Sequence, residues 1–185
     1  MTPMTPMTFV ASLRPGARAL TVAVLALVAM PACTSSTGDD PSAPATLLAF
    51  NGTFAPFRSW TMFHSELVDD GTLAPGVAGP RDQYINELPP SGSTEFPVGT
   101  VIVEVRTDTG KIFTSVKRGG GFNAAGAVNW EYFELAEDPV RYLWRGLGPP
   151  LGDTYGGDPN GCNACHVKCA TNDFICSPQL LLSSF

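Results

Sequence analysis

Over residues 98–106 the chain alternates, with Val101, Val103 and Val105 on one side of an extended backbone and Ile102, Glu104 and Arg106 on the other. That two-residue period predicts a half-buried β-strand. Thr107-Asp108-Thr109-Gly110 supplies turn chemistry and residues 112–118 alternate again, so the two runs predict a hairpin. Gly119, Gly120 and Gly121 break the pattern. It resumes over 130–135, and 140–145 gives another alternating run carrying Tyr142 and Trp144. Tyr84-Ile85-Asn86 predicts a further short strand. Earlier in the chain the period changes: Phe57, Trp60 and His64 recur at i, i+3 and i+7 with Phe63 beside them, which predicts an amphipathic helix over 55–67. Asn51-Gly52-Thr53 matches a glycosylation acceptor and is read as a turn. The expected fold is mostly β (α+β), an antiparallel sheet with an N-terminal helix. A loop rich in Gly, Pro, Asp and Asn follows over 146–161 and delivers a short C-terminal segment.

Residues 1–33 are patterned differently. Arg14 and Arg18 are their only charges, and residues 19–32 form an uncharged run of 14. A permanent membrane span needs about 20 apolar residues, so this reads as an export signal. Ala32 directly before Cys33 resembles a bacterial lipoprotein cleavage site, which makes the Cys33 thiol the expected point of lipid attachment. Residues 34–46 are Ser, Thr, Asp, Pro and Ala with little to bury, a disordered tether. The expected location is therefore the periplasmic side of a bacterial membrane, with a single domain over 47–185. Setting aside Arg14 and Arg18 leaves 9 basic against 17 acidic side chains, a net −8. Nucleic acid is a poor partner for such a surface.

The candidate chemistry lies near the C-terminus. Four of the five cysteines fall within fifteen residues, at 162, 165, 169 and 176, and His166 follows the second of them directly. Cys162-Asn163-Ala164-Cys165-His166 is the C-x-x-C-H attachment signal of c-type haem. Two intervening residues make about one helical turn, which sets both sulfurs along one porphyrin edge for thioether formation. His166 then offers a ring nitrogen to the iron. Two disulfides, zinc bound as Cys₄ or Cys₃His, and an iron–sulfur cluster are the competing uses of these cysteines. An adjacent Cys-His pair is awkward for tetrahedral zinc, and free thiolates are hard to keep reduced after export, so one covalent haem c is the stronger reading. Cys169 and Cys176 are left over, and a disulfide closing their short loop is expected, worth about 2 kcal/mol.

Small electron-transfer cytochromes carry this motif early and take a later Met as sixth ligand, but here 19 residues follow His166 and none is Met. The alternating strands contradict a four-helix cytochrome. The chain has two His, so bis-His ligation requires His64. His64 and Met62 are read instead as packed or solvated side chains. An iron position stays open, which points to ligand binding or catalysis more than to pure electron transfer. Glu131 and Glu134 are the candidate proton carriers, and Phe113 or Phe133 the candidate apolar lining.

Tyr84-Ile85-Asn86, the run Phe96-Pro97-Val98-Gly99-Thr100-Val101-Ile102-Val103, Val116-Lys117-Arg118 with its glycines, Trp130-Glu131-Tyr132-Phe133-Glu134-Leu135, the C-x-x-C-H and Asn172-Asp173-Phe174 together resemble the cytochrome P-460 family. The resemblance spans about residues 57–174. It implies an antiparallel sheet related to the β-sheet cytochromes c-prime, frequent homodimers, a five-coordinate haem held by Cys162, Cys165 and His166, and nitric oxide or hydroxylamine as ligand or substrate. A redox partner protein is implied with it. The enzymes of the family also cross-link a Lys to the macrocycle. Where many members read Gly-Thr-Val-Ile-Val-Lys-Glu, this chain has Glu104 in the Lys place, and Lys111 and Lys117 are the remaining candidates. Both are expected at the solvated surface. Hydroxylamine oxidation is thereby less secure than the fold.

Overall fold

The β-branched and aromatic runs form strands that pair in chain order: β1 (Thr61–Leu67), β2 (Gly79–Ile85), β3 (Val101–Arg106), β4 (Ile112–Lys117), β5 (Trp130–Glu137) and β6 (Val140–Gly146). All five neighbouring pairs are antiparallel. A two-residue β7 (Tyr155–Gly156) lies parallel to β6. The structure is a computed structural model that describes residues 46–67, 78–150, 155–158 and 160–185. Residues 1–45, which include the expected signal with Cys33 and nearly all of the expected tether, lie outside the described residues. Thr46, expected to end the tether, is bridged to Gly119, and the Leu47 N–H donates to the Arg118 carbonyl at 2.7 Å. No described helix is long and apolar enough to cross a membrane.

The helix predicted over 55–67 is not formed. Helical structure here is confined to α1 (Asn51–Phe54) and a 3₁₀ turn (Phe57–Ser59), after which Trp60 is extended. Residues 61–67 carry a period of two that the aromatic spacing obscured: Ser65 is buried and Phe63 and Leu67 are half-buried, while Met62, His64 and Glu66 are exposed. Seven residues of β1 pair with β2, from Thr61 opposite Ile85 to Leu67 opposite Gly79. That ladder outweighs a short helix, whose nucleation is unfavourable alone. Asn51-Gly52-Thr53 opens α1, and the Asn51 side chain accepts the Tyr142 N–H at 2.9 Å.

Strand β3 was expected to be half-buried, yet five of its six residues are buried. Both sheet faces are covered. On the first face Tyr84, Val103, Val105, Ile112, Phe133 and Leu135 pack under Ala49, Phe54 and Phe57 from the N-terminal segment. On the second, Ile85, Ile102, Tyr132 and Trp144 pack under Ile175, Leu180 and Leu182 from the C-terminal segment. The cross-strand register decides which side chain meets which layer, since neighbours along a strand alternate between faces.

Candidate functional site

The 146–161 loop folds on itself before reaching the C-x-x-C-H. The Asp158 N–H donates to the Pro149 carbonyl at 3.0 Å, and the Gly161 N–H to Asp158 at 2.9 Å. Gly148 lies so close that a Cβ there would meet the Asp158 carbonyl at 2.8 Å. The loop hands on to α2 (Cys162–His166), one helical turn that contains the whole motif. A five-residue helix cannot hold itself in place, and Asn163 docks it. The Asn163 amide oxygen accepts the Ala127 N–H at 2.8 Å and the Asn123 amide at 2.8 Å, both from the loop between β4 and β5.

The chain continues through a 3₁₀ stretch (Val167–Asn172) into two consecutive left-handed residues, Asp173 at φ 47° and Phe174 at φ 65°. A disulfide joins Cys169 to Cys176 with Cα atoms 5.3 Å apart, so the thiols at the site are Cys162 and Cys165. This compact turn returns the Phe174 carbonyl to His166, whose Nδ1 lies 2.6 Å from it. A carbonyl oxygen only accepts, so Nδ1 carries the proton and Nε2 keeps the lone pair. Burial holds the imidazole below its usual pKa, against the opposing pull of the Phe174 carbonyl and Glu104. The neutral ring is therefore the form present at neutral pH. Burial likewise pushes the Cys162 thiol up to about 12. A thiol so hard to ionise is a poor candidate for thiolate redox chemistry.

The imidazole stacks on Tyr132, ring centres 4.7 Å apart, and this places the turn on the second sheet face. That face presents Phe63, Phe113, Ile102 and Trp144 as its apolar part. Its polar part is built of pairs. Arg81 donates to Glu104 at 2.8 Å, Gln83 donates to Glu104 at 3.3 Å, and Ser177 donates to Gln83 at 2.5 Å. The Trp144 indole N–H donates to Glu134 at 2.6 Å. The Tyr132 hydroxyl is buried without a partner, and burial followed by the field of Cys162 and Cys165 raises its pKa.

The motif thus lies on the sheet face that carries Glu134 and Phe113, but not every expected residue is on that face. Glu131 and Phe133 alternate onto the first face, where Glu131 is fully buried against Arg145 at 2.8 and 2.9 Å. Met62 and His64 share that side of β1, and His64 Nδ1 lies 2.8 Å from Asp82. Lys111 is exposed beside the β3–β4 turn. Lys117, expected at the surface, is instead 2 % exposed at its side chain and bound to Asp173 at 2.7 and 2.8 Å. Its partner is 56 residues away, beyond the reach of local patterning. Tyr132, Arg81 and Asn163 are site residues to which sequence reasoning gave no role, and Glu104 was noted only as standing in the Lys place. The alternation of β3 and β5 could have set Glu104 and Tyr132 on one face.

Among the described residues no three His, Cys, Asp or Glu side chains converge as a metal-ligand group. The thiols and the imidazole are the donors that a covalently attached haem would use. Two free thiols sit at i and i+3 of one turn, and an imidazole whose Nδ1 is engaged follows them directly. Comparison with known proteins matches the chain to no family model, no curated protein and no solved structure.

Proposed function

We propose that the chain is an exported mono-haem c-type cytochrome, resembling the cytochrome P-460 family, that binds or acts on small nitrogen oxides such as nitric oxide or hydroxylamine at an open iron position. One observation carries the reading: a single helical turn holds both free thiols and a histidine whose Nδ1 is already committed to a backbone carbonyl. Cys162 and Cys165 would hold the macrocycle through thioethers, and His166 Nε2 would ligate its iron. Bound there, haem supplies a redox-active iron with room for one small molecule.

The residues of this chain supply the rest. The carbonyl of Phe174 fixes the His166 ring and raises its donor strength, as such outer partners do for metal-bound histidines. Glu134, oriented by the Trp144 indole, is the proton carrier on the side where the motif lies. Tyr132 offers a hydroxyl that no protein acceptor claims. Phe63 and Phe113 exclude water beside these groups. Met62 and His64 lie on the opposite side of β1 and do not compete for the iron.

Gas binding without catalysis is the second reading, and the residue at position 104 favours it. Glu104 is tied to Arg81 and Gln83 where many family members have Lys. A lysyl cross-link would have to come from Lys111 at the exposed turn or from Lys117, which Asp173 already engages.

Protein from cells with a c-type maturation system is expected to keep its haem through acid-acetone extraction and a denaturing gel, with no titratable thiol left at Cys162 or Cys165. Colourless protein with both thiols free would end the haem reading. Mixing the loaded protein with hydroxylamine and nitric oxide separates the two versions: reduction of an added acceptor by hydroxylamine marks the enzyme, and a spectral change with nitric oxide alone marks the binder. Export and lipidation at Cys33 belong to the same proposal. Cys33→Ala is expected to move the domain from the membrane fraction to the soluble one, and retention at the membrane with residues 1–32 uncleaved would show an anchor helix instead.

A further inference from the structure

A buried ion pair is a costly way to hold a fold together, because desolvating both charges offsets much of their attraction. Lys117 and Asp173 nevertheless form one, with side chains 2 % and 8 % exposed. The Asp173 carboxylate also accepts the Phe96 N–H at 2.8 Å. The Lys117 ammonium lies 5.4 Å from the centre of the Trp130 ring. Asp173 is thus bound from β4 and from the segment before β3 at once.

What these contacts hold is strained. Asp173 and Phe174 are both left-handed, at φ 47° and 65°. For a non-glycine residue that region is costly, and for a bulky one like Phe it is a clear outlier. Such strain persists where the surroundings over-determine it, and it collects at functional sites. Here it falls on the one residue whose carbonyl receives His166 Nδ1.

We propose that Lys117 and Asp173 are positioning residues for His166: by fixing the left-handed Asp173-Phe174 step they aim the Phe174 carbonyl at Nδ1 and so commit the lone pair to Nε2. The use of that lone pair as an iron ligand rests on the haem reading, but the positioning itself does not. Without the clamp the turn relaxes toward right-handed backbone, the carbonyl swings away, and the imidazole proton is shared between both nitrogens. Glu95, the other acid near Lys117 at 3.6 Å, is largely exposed and should not matter.

The test reads the tautomer directly. Full-length protein made without haem, labelled with ¹⁵N-histidine, contains two imidazoles, and His64→Ala assigns them. Long-range proton–nitrogen correlation of the wild type should show His166 fixed as the Nδ1-protonated form. Asp173→Asn and Lys117→Met are expected to move its two nitrogen shifts toward each other, the mark of mixed tautomers. Lys117→Arg should restore the wild-type pattern and Glu95→Gln should keep it. If Lys117→Met does not fold, Asp173→Asn and Asp173→Glu carry the comparison, since Asn preserves the shape of the side chain without its charge and Glu preserves the charge on a longer stem. Folded Asp173 variants that lose thermal stability yet keep the Nδ1 tautomer would overturn the proposal, leaving the pair a purely structural one. Its failure is separable from that of the haem reading. Mixed tautomers in a chain that never retains covalent haem would support the clamp and sink the cytochrome, and covalent haem with an unmoved tautomer would do the reverse.

Discussion

Glu131→Gln is expected to cost the fold about 3 kcal/mol, at the lower end of what breaking a buried ion pair does. Glu131 is fully buried, and its carboxylate receives Arg145 Nε and Nη2 at 2.8 and 2.9 Å and faces Arg118 at 3.6 Å. Arg145 in turn donates to the Ala49 carbonyl at 3.1 Å and lies over the Phe133 ring, so this cluster ties the N-terminal layer to the first sheet face. Removing the negative charge leaves two guanidinium groups in a buried setting with less to balance them. Glu134→Gln, three residues along β5 and on the other face, should cost far less. Its partner is the neutral Trp144 indole, and the Gln oxygen can still accept that hydrogen bond, so the cost should stay below about 1 kcal/mol. Urea midpoints measure both. A stable Glu131→Gln protein with altered ligand binding, beside a destabilised Glu134→Gln protein, would exchange the roles assigned to the two carboxylates.

The contrast between those neighbours shows what was readable in the sequence and what was not. Strands β3 to β6 were visible as alternation, because a period of two is a local property, whereas only the Tyr84-Ile85 end of β2 was. Which face each half of the alternation would meet is not local. Glu131 and Glu134 looked equivalent until the register put Glu131 opposite Val116 and Glu134 opposite Phe113. Residues 61–67 misled because Phe57, Trp60 and His64 fit a helical spacing while the inward Ser65 blurred the strand period. Pairing with β2 decided the matter, and that partner begins twelve residues after β1 ends. The C-x-x-C-H spacing at 162–166 was legible because it is a local pattern, and the structure places it on one helical turn. Its supports were not, because Asn163 stands in a spacer position and Asp173 finds its cation 56 residues away.

Asn163 leads to the second large expected effect, at a residue with no chemistry of its own. In Gly126→Ala the new methyl would fall on the Asn163 side-chain amide, which therefore has to leave its place. The Ala127 N–H and the Asn123 amide then lose their common acceptor. A buried donor left unsatisfied costs about 1–3 kcal/mol, and Ala127 is fully buried. The loss should be local in the first instance. The sheet keeps its ladders, while α2 retains the Asn163 N–H bond to the Leu147 carbonyl at 3.0 Å and little else from the neighbouring loops. Hydrogen exchange is therefore expected to quicken across 160–166 with β3 to β5 still protected. Gly52→Ala is the matching control. Its Cβ meets nothing within 4 Å in α1, and alanine is the better helix former, so stability should hold or rise slightly. Unchanged exchange at 160–166 in Gly126→Ala would mean that Asn163 is not what docks the C-x-x-C-H turn.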